Sequence, residues 1–301
     1  MPNLKEVRNR IVSVGSTMQI TSAMKMVSAA KLKRAQDAIT QMRPYANKLQ
    51  EILQNVSSSL DTSENAYARQ TGVKNILIIA ISSNRGLAGG FNANIIKKTW
   101  SLINNDFQGQ NISVVSIGKK VNDVFKRTSH GMRGVHSEKG IHSDAFTQNV
   151  TTILDNLTYD NVAPIAEKVM ETFVNKEFDK VVIVYNQFKN AAVQIVQAEQ
   201  FLPIVATQND AGGSNTDYIF EPSKEFIVSD LIPRSLKTQF YKALLDSVAS
   251  EHGARMTAMH KATDNAKDML RDLKISYNKA RQTAITTEIL EIVAGAEALN
   301  G

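Results

Sequence analysis

The stretch "LKEVRNRIVSVGSTM", residues 4–18, sets Leu4, Val7, Ile11, Val14 and Met18 at alternating steps of three and four. Carried forward, the frame meets Thr21, Lys25, Ser28, Leu32, Ala35, Ile39, Met42, Ala46, Leu49, Leu53, Val56 and Leu60, so fourteen of its seventeen positions are apolar. A 3.5-residue repeat held that long predicts a coiled-coil helix, because only supercoiling keeps such a stripe on one partner. The polar step at Thr21, Lys25 and Ser28 fits two readings: a register-setting defect, or a place where the seam faces something else. Pro44 falls at an outer f position, where it predicts a kink that leaves the seam intact.

A second stripe lies at residues 233–301. Met259, Ala262, Ala266, Leu270, Leu273, Tyr277, Ala280 and Ala284 again step by three and four. Pro233 suits a first helical turn, no proline follows it, and Gly253 and Gly295 are the only glycines before Leu299. A continuous helix there would reach about 100 Å at ~1.5 Å per residue, too long for a compact domain to bury.

Between the stripes the chain reads as α/β. Apolar β-branched runs predict strands at 75–82, 111–117, 180–186 and 193–201, and 3.6-residue periodicity predicts helices at 91–105, 119–129 and 160–176. Alternation of strand and helix implies a parallel sheet with right-handed crossovers, to which residues 181–201 add an antiparallel hairpin. The polar, glycine-rich stretch 207–217 reads as an exposed loop. The expected fold class is therefore α/β with a long antiparallel coiled coil of the N- and C-terminal helices. Its parts are a helix over 1–62, a central domain over 74–206, a connecting segment over 207–232 and a helix over 233–301. Neither stripe can be buried alone, so the two ends pair with each other, a rod mounted on a foot.

Charge is uneven. Residues 1–60 carry nine basic and three acidic groups, against ten and eight in residues 233–301, within a total of +6. The N-terminal excess asks for an acidic partner. Seven basic residues against Glu6 alone in the first 34 resemble a transit peptide, but the apolar register runs on for 26 more residues, which a removable segment has no reason to do. The absence of cysteine excludes thiolate catalysis, disulfide scaffolds and Cys-based zinc sites. Gly86, Gly89 and Gly90, after the apolar run "NILIIAI", fit neither G-x-x-x-x-G-K-[ST] nor G-x-G-x-x-G, so they read as a tight turn into a helix. His136 and His142 fall in an expected loop, and His252 and His260 are eight apart on a helix, a spacing that makes no metal pair.

Four segments carry a resemblance: "NRIVSVGSTMQITSAMKMVSAAKLKRAQ" at 9–36, "SSNRGLAGGFN" at 82–92, "EHGARMTAMHKATDNAKDML" at 251–270 and "YNKARQTAITTEILEIVAGAEAL" at 277–299. They resemble the gamma subunit of the F-type ATP synthase, across both helices and the domain between. The resemblance implies a Rossmann-like central domain without a nucleotide site, no cofactor, and a non-catalytic rotor that couples proton flow to ATP synthesis and hydrolysis. Implied partners are the alpha and beta subunits, the epsilon subunit and the membrane ring of c subunits. The implied location is peripheral, on the cytoplasmic face of the bacterial inner membrane. Met24, Lys25, Lys31, Lys33, Arg34 and Arg255 would meet the acidic loops of beta, Arg281 and Gln282 would form a hydrogen-bonding catch on beta, and Ile285, Ile289, Ile292, Val293 and Leu299 would turn in an apolar sleeve. Without the resemblance, those charges read as a solvated helix face and Met24 as packing. Two other functions fit the same features: a nucleotide-dependent α/β enzyme with a helical dimerisation arm, and a basic coiled coil that binds nucleic acid.

Overall fold

The computed structural model describes residues 4–59, 66–69, 72–128, 153–204 and 230–300. The predicted loop at 207–217, Leu60, His136 and His142 lie outside the described residues. The elements in order are α1 (Leu4–Ser59), β1 (Asn75–Ile81), α2 (Phe91–Ser101), β2 (Asn111–Ile117), α3 (Lys119–Phe125), α4 (Tyr159–Val174), β3 (Lys180–Phe188), β4 (Gln194–Leu202) and α5 (Ile232–Asn300). They fall into two compact units, Met1–Ser28 with Arg255–Gly301, and Ala29–Ala254.

In the first unit α1 and α5 run antiparallel. Thr21 faces Thr263 (Oγ1–Oγ1 2.9 Å), Lys25 faces His260 (Nζ–Nδ1 3.3 Å), and a Cβ added at Gly15 would stand 3.5 Å from Leu270 Cδ1. Leu4, Val7, Ile11, Val14, Met18, Thr21, Lys25 and Ser28 are each buried or half-buried, whereas most positions between them are exposed. The same holds across the seam for Met259, Ala262, Ala266, Leu270, Leu273, Tyr277, Ala280 and Ala284. Each stripe is covered by the other, which is what holds the paired helices together.

In the second unit α1 continues its seam through Leu32, Ala35, Ile39, Met42, Ala46 and Leu49, all buried or half-buried, and passes through an exposed Pro44 without losing the register. The sheet has the order β2-β1-β3-β4, with β1 parallel to both β2 and β3, and β4 antiparallel to β3. Side chains alternate across β1. Leu77, Ile79 and Ile81 join α4 and the start of α5 through Val162, Phe173, Leu236 and Phe240, while Ile76, Ile78 and Ala80 join α2 and α3 through Ile95, Val121 and Phe125. Burial on both faces explains the unbroken apolar run of β1.

Two helices depart from expectation for local reasons. At the end of α2, the Phe107 amide bonds back five residues to Leu102 O (2.9 Å), a π turn over Leu102–Asp106 that lets the adjacent Leu102 and Ile103 both face the core. α3 stops at Phe125, short of the predicted 129, because the amide and hydroxyl of Thr128 both bond to Phe125 O (2.9 and 2.8 Å).

Candidate functional site

From β1 the chain passes through α2 to β2 on one side, then returns through α4 to β3 on the other side of β1. The order reverses between β1 and β3, and in doubly wound sheets the crevice beyond the carboxyl ends at such a point is where ligands sit. Here that crevice holds protein. At the end of β3, Asn186 donates Nδ2 to Phe91 O (3.3 Å), and Ser250 of α5 donates Oγ to Asn186 O (2.9 Å). Phe91, Ala88 and Ala254 pack together, and Gly253 comes so near the β3–β4 turn that an added Cβ would lie 3.2 Å from Ala191 Cα.

The glycine-rich turn is closed by its own polar side chains. Asn92 Oδ1 accepts from the Ser83 amide (3.0 Å), Asn84 Oδ1 from the Lys119 amide (3.1 Å), and Ser82 Oγ from the Val121 amide (3.0 Å). The opening amides of α3, which could cradle a phosphate, are thus taken up by the neighbouring turn. Gly89 supplies a left-handed residue (φ 57°), and Leu87 adopts the same conformation (φ 63°) while exposed.

The residues singled out on the helices are distributed over both units. Met24 and Lys25 are half-buried in the coiled coil, and Lys25 is engaged with His260, whose Nδ1 also lies 3.4 Å from Asp264 Oδ2. Facing pairs keep a near-constant total of residue numbers, about 285, which sets Met24 opposite residue 261, six residues or about 9 Å from Arg255. Arg255 is itself buried. Lys31, Lys33 and Arg34, in the second unit, are exposed, with Lys33 paired to Asp37 at 2.8 Å. The same register sets Leu4 opposite residue 281. Arg281 and Gln282 are exposed there, and from Ile285 to Ala298 every side chain of α5 is exposed, including Ile289, Leu290, Ile292 and Val293. The placement of the Leu299 side chain lies outside what the structure describes.

Sequence reading missed a polar patch on α5 where it faces the sheet. Asp246, Ser247 and Ser250 are all buried. Arg43 of α1 reaches Asp246 (Nη2–Oδ1 3.7 Å) and donates to Phe188 O (3.4 Å). Burial pushes the Asp246 carboxyl above its ordinary range, and Arg43, Lys242 and the Phe188 backbone offset this only in part. Nearby, Tyr185 donates to Glu199 Oε2 (2.8 Å) while Gln239 donates to Oε1 (2.7 Å). Burial, then the Glu199 charge, drive the Tyr185 hydroxyl pKa upward. Small polar residues at three- and four-residue spacing in an otherwise apolar helix were the available signal. Among the described residues, no group of three His, Cys, Asp or Glu could hold a metal, and no helix is long and apolar enough to cross a membrane.

A Rossmann-like sheet with a filled switch point, set in sequence between two helices that form an antiparallel coiled coil, defines the class of this chain. Solved structures align with this fold. A chain of the Tetrahymena thermophila mitochondrial ATP synthase central stalk and c-ring aligns with TM-score 0.57 and 25% identity, over 81% of this chain and 99% of that one. A chain of the Euglena gracilis mitochondrial ATP synthase aligns with TM-score 0.62 and 19% identity, over 98% and 94%. The family model described as ATP synthase matches residues 3–299. The ATP synthase gamma chains of Flavobacterium johnsoniae and Christiangramia forsetii are 59% and 58% identical, each over 100% of both chains. The chain belongs to the ATP synthase gamma chain family.

Proposed function

We propose that this chain is the rotating central-stalk subunit of an F-type ATP synthase, itself non-catalytic, coupling proton flow through the membrane ring to ATP synthesis and hydrolysis on the beta subunits. The observation that carries this is the 59% identity to a bacterial gamma chain over the whole length. Its partners are the alpha and beta subunits around the coiled coil, and the epsilon subunit and c-ring at the α/β domain. It sits peripherally on the cytoplasmic face of the bacterial inner membrane. A surface that differs around its circumference binds three beta subunits unequally, so turning it shifts each among empty, loose and tight forms. By linkage, nucleotide binding drives the turn in reverse.

In this reading the exposed Lys31, Lys33 and Arg34, with Met24 and Lys25, meet acidic loops of beta. The Lys33–Asp37 pair is solvent-exposed, and such pairs contribute only about 0–1 kcal/mol, so Lys33 can exchange partners as the rotor turns. Arg255 is buried and would reach beta only after its side chain rearranges. Arg281 and Gln282 stand free to donate to a carboxylate or carbonyl. The exposed Ile285, Ile289, Ile292 and Val293, with Leu299, supply an apolar bearing, suited to rotation because apolar contact is non-directional.

The test is the double variant Arg281→Ala with Gln282→Ala in the purified complex. Loss of one charge-assisted bond predicts about a tenfold fall in steady-state ATP turnover, at ~1.4 kcal/mol per decade. Unchanged turnover and coupling would remove the catch. Co-purification with two larger ATP-binding subunits in excess over this chain tests the assignment as a whole.

A further inference from the structure

Given the rotor reading, on which this step rests, turning moment must pass between the α/β domain and the long helices, and the structure shows where α5 is fixed. Apolar contacts alone let a helix slide or roll, because they have no preferred direction. Directional bonds and close backbone approach resist both motions. At the carboxyl end of β3 the two occur together. Ser250 Oγ bonds Asn186 O, Asn186 Nδ2 bonds Phe91 O, and Gly253 sits against Ala191 with no room for a larger side chain to pass. Ser250 and Asn186 are both fully buried, so water does not compete for these bonds.

We infer that Ser250, Asn186 and the Gly253–Ala191 contact form a rigid joint that transmits torque between the sheet and α5, in the crevice that related folds leave open for a ligand. Ser250 and Asn186 are positioning residues, acting on turnover only through the orientation of α5.

The complex carrying each variant is purified and reconstituted into vesicles. With Ser250→Ala, ATP hydrolysis without a gradient stays within about twofold, while ATP-driven proton pumping against an opposing gradient falls at least threefold. Asn186→Ala, which removes the other directional bond of the joint, gives the same split between hydrolysis and pumping. Two results would overturn the joint: pumping under load unaffected by both variants, or hydrolysis and pumping falling in parallel, as a merely destabilised chain would show. Should Ser250→Ala fail to assemble, Asn186→Ala alone decides. Failure of the unaltered chain to co-purify with ATP-binding subunits is a separate outcome, which removes the rotor reading and this joint with it.

Discussion

Gly118, between β2 and α3, gives the sharpest stability test of the interlocked turns. Its φ of 98° lies where side-chain-bearing residues are strained, at about 1–3 kcal/mol. An added Cβ would also fall 2.2 Å from Ser82 O, against the roughly 3.0 Å below which such contacts are not seen. The Ser82 carbonyl or the turn must therefore move by nearly 1 Å. The bonds that hold this corner, Ser82 N to Ile117 O (2.7 Å), Lys120 N to Ser83 O (3.2 Å) and Val121 N to Ser82 Oγ (3.0 Å), would lengthen with it. Losing one or two of them adds about 1–2 kcal/mol. Gly118→Ala should then destabilise the α/β unit by about 2–5 kcal/mol, roughly 4–20 °C in Tm for a unit of this size. Trp100, the chain's single tryptophan, packs on Phe125 of α3 with ring centroids 5.1 Å apart, so its fluorescence in a urea titration reports on this corner. Gly15→Ala is the internal control. It sits in mid-helix with its Cβ at an ordinary 3.5 Å from Leu270, and should stabilise by about 1 kcal/mol. A Gly118→Ala chain within 1 kcal/mol of the parent would refute the claim that the two βα turns are locked against each other.

Asp246 carries a pH prediction. Its folded-state pKa is raised by burial, with Arg43, Lys242 and Tyr185 the charged or titratable groups facing it. Between the unfolded and the folded value the native chain therefore binds more proton than the unfolded one. That contribution to stability is complete below the unfolded value and is lost as pH rises through the folded one. Asp246→Asn should flatten this slope and leave stability at neutral pH equal or higher, as seen by urea titrations from pH 4 to 8. Arg43→Ala should lose about 1–2 kcal/mol, less than the ~3–5 of a fully buried pair, because Arg43 is half exposed and Asp246 can take up a proton instead. Adding Asp246→Asn should recover most of that loss, and strict additivity would argue against the pair. In the coiled coil, Thr263 Oγ1 also bonds Met259 O (2.8 Å), so Thr21→Val with Thr263→Val leaves no stranded partner and should shift the melt by less than about 1 kcal/mol.

What could be read from the sequence depended on how local the cause was. The seam of α1 was legible because a heptad position follows from backbone geometry alone, and every described member from Leu4 to Leu49 is turned inward. β1 and β2 were legible because an apolar run between turn residues has one compact use. Even the polar step resolves: Thr21 and Lys25 stay in the seam and meet Thr263 and His260, which favours a register-setting pair over an opening in the seam. The bond between Ser250 and Asn186 spans 64 residues, and the approach of Arg43 to Asp246 joins helices from opposite ends of the chain. No window of sequence contains both partners. Burial of Arg255 was illegible for the same reason.

The filled switch point also explains how a domain built like a nucleotide-binding one could pass to a mechanical role. A parallel sheet presents its strand ends at one edge, and a ligand there must be held by groups that would otherwise be unsatisfied. In this chain the groups are satisfied internally. Asn186 spends its amide on Phe91 and its carbonyl on Ser250, Asn84 caps α3, and Ala254 and Gly253 let α5 lie directly on the gap. A ligand would have to displace a helix that the sheet binds through its own backbone. That tightness is what a fixed attachment for a long helix requires.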